Sequence, residues 1–214
     1  MQLGGFTGGI YSLFNWFTRL AYINILWILF TLVGLVIFGF FPATIAMLAT
    51  LRQFLRKNDP PVFKTFWGYY KTEFIGSNKL GAIIAGIGLI LFMNISFLQS
   101  TDGNLSGMLY YPMIIMSFIY FLAICYLLAS YVEFDQKLSA HIKNSVLIMM
   151  YNPLSSLFII FGFAAVYYAV IFLSGLGFFF SGSVLGLVIL SSASLTYRKI
   201  ELKQTKLEGE EKTA

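Results

Sequence analysis

One histidine and one cysteine in 214 residues leave little from which to build a metal centre or a nucleophile–base pair. His141 has no second imidazole to share an ion with. Cys125 has no partner thiol, which excludes an intrachain disulfide and any C-x-x-C arrangement. It sits in an apolar run, where a free thiol behaves as a small hydrophobe. Charge is scarce too: Asp, Glu, Lys and Arg make up 11% of the chain, against about 25% in an ordinary soluble domain. The sequence contains no H-E-x-x-H, no G-x-S-x-G and no G-x-x-x-x-G-K-[ST]. Its apolar segments offer no paired carboxylates for an intramembrane aspartyl protease and no well-buried ionisable group for proton or ion coupling. No catalytic residue, metal ligand or cofactor is therefore expected, and the protein reads as a non-enzyme.

What is abundant is hydrocarbon. Hydrophobic residues are 58% of the chain and aromatic residues 18%, with a mean hydropathy of +0.81. Several stretches reach the ~20 apolar residues that a bilayer-crossing helix requires. The expected fold is all-α, a polytopic helical membrane bundle of about six transmembrane segments, or five, with two amphipathic helices on the cytoplasmic face. Residues 1–200 form one membrane domain with spans at 20–40, 42–56, 80–98, 108–132, 153–174 and 184–197. Residues 201–214 are a solvated, charged cytoplasmic tail. No Lys or Arg precedes Arg19, and the first apolar run exceeds a signal-peptide core, so the first span is read as retained.

The count turns on "VIFGFFPATIAML", Val36 to Leu48. Proline suits the first turn of a helix and disrupts its interior, and it pushes the preceding residue, Phe41, from helical geometry. This predicts a helix end at Gly39 to Phe41 and a restart at Pro42, with a second helix of only ~21 Å. Charge gives the orientation. Arg19, six basic residues from Arg52 to Lys79, Lys137, Lys143 and five in the tail account for all fourteen Lys and Arg, while 99–107 and 175–183 have none. By the positive-inside rule those two loops face outward and the C-terminus is cytoplasmic. A turn at Pro42 puts the N-terminus inside and satisfies the rule with every basic residue. Without it there are five spans, the N-terminus is outside and Arg19 is the exception. The +5 charge thus reflects basic loops on one face rather than nucleic-acid binding.

Two polar segments carry amphipathic patterns. Phe63, Phe66, Trp67, Tyr70 and Phe74 recur at helical spacing opposite Lys64 and Lys71, and Leu138, Ile142, Val146 and Met149 form a second stripe. Anchoring in lipid is their plain reading. Docking of a partner through Phe66, Trp67, Tyr70, Phe74, Leu138 and Ile142 is the functional one. Asn24, Asn94 and Asn152, with Pro42, Pro112 and Pro153 nearby, are candidates to line a polar ligand site at broken helices or to bond neighbouring helices. Gly81 and Ala85, Ala82 and Gly86, and Gly182 and Gly186 are spaced for close helix approach. "FIGSNKL" (Phe74 to Leu80) and "HIKNSVL" (His141 to Leu147) form an echo before successive hairpins.

"RLAYINILWILFTLVGLVIFGFFPATIAMLATLRQFL" followed by "PVFKTFWGYYKTEFIGSNKLG" resembles the N-terminal half of the YesL family of bacterial membrane proteins. The likeness lies in the run ending F-P-A-T, the F-K-x-F-W core and the S-N-x-x-G entry to the next span, and it extends to about Tyr197. The resemblance implies a multi-pass plasma-membrane protein of a Gram-positive type of bacterium, in a family of unknown biochemical function without assigned catalytic residues. Members tend to be encoded beside ABC-type carbohydrate uptake systems and sugar-degrading enzymes. The expected role is an accessory or regulatory component of carbohydrate uptake, with the lipid bilayer, ABC permease subunits or further copies of itself as partners. The alternative is a permease component moving a small polar solute.

Overall fold

The computed structural model describes residues 6–101 and 104–211. They form eight helices: α1 (Phe6–Val33), α2 (Ile37–Leu55), α3 (Val62–Thr72), α4 (Phe74–Ser100), α5 (Asn104–Glu133), α6 (Leu138–Tyr151), α7 (Pro153–Phe172) and α8 (Ser174–Glu211). No strand occurs among the described residues. α1, α2, α4, α5, α7 and α8 each contain a stretch long and apolar enough to cross a bilayer. The protein is thus an all-α chain with six membrane-length helices and two short ones.

The first turn does not fall at Pro42. α1 ends at Val33, the chain reverses over Gly34–Val36, and Pro42 lies inside α2. Helix α1 terminates in a Schellman pattern: Leu35 N–H donates to the Leu32 carbonyl and Val36 N–H to the Thr31 carbonyl, each at 2.9 Å. Leu35 takes the left-handed conformation (φ 57°) usually given to glycine. Val36 follows at φ 64°, ψ −62°, with Ile37 N–H bonded to the Leu35 carbonyl at 2.8 Å, a strained γ-turn. Glycine is needed one residue earlier for a different reason. A Cβ on Gly34 would strike the Gly39 Cα and lie 2.8 Å from the Tyr70 hydroxyl. Close approach across the hairpin places the turn, and Pro42 is carried inside α2. α2 is consequently 19 residues long, or ~28 Å, and the expected spans 20–40 and 42–56 shift to α1 and α2.

The chain divides into two compact units. The first comprises the chain up to Ile75 and Ile160–Leu190. At its centre α2 buries Ala43, Ile45, Ala46, Leu48 and Leu51. α1 lies along it, with the Trp27 indole N–H bonded to Thr44 Oγ1 at 3.0 Å, and α8 presses Gly186 against Leu48 and Leu51. The amphipathic pattern of α3 is real, but its aromatic face is filled from within. The rings of Phe63, Phe66, Trp67 and Tyr70 gather around Phe30 of α1 at 4.9–6.4 Å between centroids. The Tyr70 hydroxyl donates to the Phe30 carbonyl at 3.2 Å. α3 therefore folds back along the α1–α2 hairpin.

The second unit comprises Gly76–Ile159 and the chain from Ser191 onward. α6 packs on α5 through His141, Ser145 and Ile148. The stripe read from the sequence is turned the other way, with Ile142 and Val146 exposed. In lipid this inversion is the expected one, since apolar side chains are at home outside and hydroxyls and imidazoles need protein partners. α7 begins at Pro153 as expected, and Ser155 N–H bonds to the Asn152 carbonyl at 3.1 Å across the break.

Other expectations need correction. Residues 175–183 are not a loop: Leu173 alone separates α7 from α8. The tail is helical through Glu211, because Glu, Leu, Lys and Gln have high helix propensity and extend a helix that is already nucleated. Residues 212–214 lie outside the described residues. The two echo segments are not equivalent, since Phe74–Leu80 opens the long helix α4 while His141–Leu147 lies within short α6.

Candidate functional site

Asn24 is fully buried on α1, and α8 uses both ends of its carboxamide. Asn24 Nδ2 donates to the Phe178 carbonyl at 2.7 Å, and Oδ1 accepts the Ser183 N–H at 3.0 Å. Gly182 makes room for this, since a Cβ there would lie 2.9 Å from Oδ1 and 3.0 Å from the Trp27 ring. The Gly182/Gly186 pair thus serves contacts within the chain. Asn24 is a brace between helices.

In the second unit the buried polar groups form short chains. Asn152 Nδ2 donates to Ser155 Oγ at 2.8 Å and to Thr196 Oγ1 at 3.3 Å, and the Thr196 hydroxyl donates to Ser155 Oγ at 3.0 Å. Tyr126 and Ser156 share a hydrogen bond at 3.2 Å. The Tyr197 hydroxyl is buried without a partner among the described residues, its ring edge-on to Phe134. Sequence reading found Asn152 and missed its companions. Their signal was present in the spacing Tyr126/Ser130, Ser192/Thr196 and His141/Ser145, each four apart on one helical face.

His141, the lone imidazole of the chain, is 2% exposed. Its Nδ1 lies 3.2 Å from Ser130 Oγ and its ring rests on Tyr131. Burial lowers its pKa below the ordinary 6.5, with the Gln136 backbone hydrogen bond and the Asp135 charge acting the other way. The unfolded chain therefore binds this proton more readily than the folded one. The contribution of His141 to stability is complete above pH 6.5 and declines as the pH falls from there through the lowered folded value. Melting in detergent at pH 5 should occur below that at pH 7.5, and His141→Gln should reduce the difference. An equal drop in both proteins would show that other groups are responsible.

Asn94 bonds its own helix, donating to the Ile90 carbonyl at 2.7 Å. Asn24 belongs to one unit, and Asn94 and Asn152 to the other. Of the docking candidates, Phe66 and Tyr70 are buried and hence unavailable to a partner. Trp67 is half-buried with Lys71 Nζ 4.4 Å over its ring, and Phe74 is half-buried against Tyr70. Leu138 is half-buried and Ile142 exposed. One cation expected ahead of the first span lies inside a helix. Because α1 starts at Phe6, Arg19 falls within a membrane-length helix. It pairs with Asp59 at 2.7 Å, donates from Nε to Asn15 Oδ1 at 3.1 Å and stacks on Phe54 at 4.8 Å.

A hollow of about 330 Å³ opens at the α4–α5 turn, lined by Gln99, Thr101, Ser106, Tyr110 and Tyr111 with Leu98 and Gly107. Gln99 Nε2 donates to the Tyr110 hydroxyl at 3.1 Å. Ser106 donates to the Thr101 carbonyl at 2.7 Å. Among the described residues the lining is uncharged and offers amide, hydroxyl and aromatic surface.

Comparison with known proteins gives a family and no chemistry. Residues 20–95 match the family described as "Protein of unknown function, DUF624". The uncharacterized protein YteU of Bacillus subtilis (strain 168) is 34% identical over 186 residues, covering 86% of this chain and 83% of that protein. YesL of the same organism, also uncharacterized, is 31% identical over 207 residues, covering 96% and 98%. YesV, likewise uncharacterized, is 31% identical over 196 residues, covering 91% and 94%. No solved structure matches. With nearly the whole of YesL aligned and the F-P-A-T and F-K-x-F-W segments inside the matched region, the chain belongs to the DUF624, or YesL, family of proteins of unknown function.

Proposed function

We propose that this protein is an accessory component of carbohydrate uptake in a bacterial plasma membrane, standing beside an ABC-type permease and performing no chemistry of its own. The observation that carries the reading is the hollow at the α4–α5 turn. Its amide and hydroxyl groups can both donate and accept, and its two tyrosines offer aromatic faces, a combination suited to a polyhydroxylated solute. The charge partition turns this end outward and leaves the C-terminal part of α8 in the cytoplasm. The accessory role draws support from the interior: Asn24, Asn152, Ser155 and Thr196 bond to one another or to backbone rather than lining a polar route for a solute.

Purification from native membranes should recover a permease and its ATPase with the protein. Deletion should lower uptake of the cognate sugar, and a Gln99→Ala/Tyr111→Ala variant, present at normal abundance, should fail to restore it. Recovery of a lone oligomer that passes sugar in proteoliposomes would replace this reading with that of a permease. Full restoration by the double variant would remove the hollow from it.

A further inference from the structure

The tip of the α1–α2 hairpin has the chemistry of a turn that never meets water. From Leu32 to Phe41 the sequence is "LVGLVIFGFF", without one side chain able to hydrogen-bond. These side chains point away from the protein: Leu35 is 78% exposed, Ile37 76% and Val33 65%. Water-facing turns with positive φ use Gly, Asn or Asp, which relieve strain and bond solvent. Here Leu35 and Val36 occupy those positions, where a side chain is strained.

Five backbone N–H groups of the tip are paired within the protein. The N–H groups of Gly34, Leu35, Val36, Ile37 and Phe40 all donate to protein carbonyls at 2.8–3.1 Å. The Phe30 carbonyl, which takes the Gly34 N–H, also takes the Tyr70 hydroxyl. Such pairing is dispensable in water and obligatory in hydrocarbon, where each unsatisfied group costs several kcal/mol.

Length points the same way. The opposite end of the hairpin is polar, with Arg19 paired to Asp59 and Arg52 in the last turn of α2. From Arg52 back to Val36 is sixteen residues, or ~24 Å, against ~30 Å of hydrocarbon before any tilt. With its charged end at one interface the tip stops short of the other. α3, which bears Lys64 and Lys71, comes within a helical turn of that tip through Tyr70.

We propose that α1 and α2 form a re-entrant hairpin, entering and leaving by the same membrane face, with the Gly34–Ile37 tip seated among acyl chains. Both ends of the hairpin stay on one side, so the placement of every later segment is the same as for a full double crossing. The partner of this surface is lipid hydrocarbon, and the inference stands whatever the fate of the uptake role.

The test uses the full-length chain in a Cys125→Ala background, with single cysteines by Leu35→Cys or Ile37→Cys at the tip, Thr101→Cys at the α4–α5 turn and Asn58→Cys at the charged end. In opened membranes, where both faces are accessible, an impermeant maleimide should label Thr101→Cys and Asn58→Cys readily and the tip at least about tenfold more slowly, as an aqueous reagent is excluded from hydrocarbon. A fluorophore attached at the tip in detergent and then reconstituted should be quenched by lipids brominated along the acyl chain. Tip labelling as fast as Thr101→Cys would mean a water-exposed loop and overturn the proposal. Protection from both reagent and bromolipid would mean a protein contact, such as a second copy of the chain, and would overturn it equally. Having two tip positions guards against one cysteine disturbing the turn.

Discussion

Alanine at Gly39 will lower the stability of the folded protein by about 3 kcal/mol or more, at the upper end of what overpacking costs. The added methyl would collide with the Thr31 carbonyl oxygen and lie 2.8 Å from the Phe30 carbonyl oxygen and from the Gly34 Cα. All three atoms are backbone, so no side chain can swing aside. The hairpin must open or the turn must change, and either exposes N–H groups now paired within it. Gly86→Ala is the matched control, since a Cβ there meets nothing within 4 Å, and it should stay within about 0.5 kcal/mol of wild type. Denaturant unfolding in detergent, monitored by tryptophan fluorescence, measures both. Equal stability of the two variants would show that Gly34 and Gly39 are not in contact and would remove the basis for a turn at 34–36.

Asn24→Ala should cost about 2 kcal/mol in the same assay. Side-chain hydrogen bonds between membrane helices often contribute less than 1 kcal/mol, because the separated helices find other partners. Here the loss is larger, since the carboxamide holds a carbonyl and an N–H of α8 at once, and stripping a buried backbone group of its partner costs ~1–3 kcal/mol. Rewinding of α8 would recover part of that. A double-mutant cycle separates the two effects. Gly182→Ala crowds Asn24 Oδ1, so its penalty should shrink by about 1 kcal/mol in the Asn24→Ala background, where that oxygen is gone. Additive penalties would place Asn24 away from α8.

How far the sequence could be read depended on whether a feature was local. Asn152–Pro153 was legible because a helix break by proline acts on the residue before it and the carbonyl four back. Pro42 obeys the same chemistry and misleads, since α2 runs through it and the turn falls upstream. The deciding contact is between Gly34 and Gly39, on opposite sides of the turn. In α6 the 3.6-residue period was visible and its facing was not. The sequence shows an apolar stripe at Leu138, Ile142 and Val146, but only the position of Ser130 and Tyr131 on α5 reveals that His141 and Ser145 point inward.

Composition and hydropathy by themselves determined that this chain is helical, with about six segments, or five, long enough for a bilayer and two short amphipathic ones. Those properties are sums over neighbouring residues, and lipid demands them of each segment separately. The tertiary structure decided where the first hairpin turns, what fills the aromatic face of α3 and which backbone groups Asn24 holds. These depend on two distant stretches approaching within a few ångströms, where a single methyl group or an unpaired N–H outweighs any local preference.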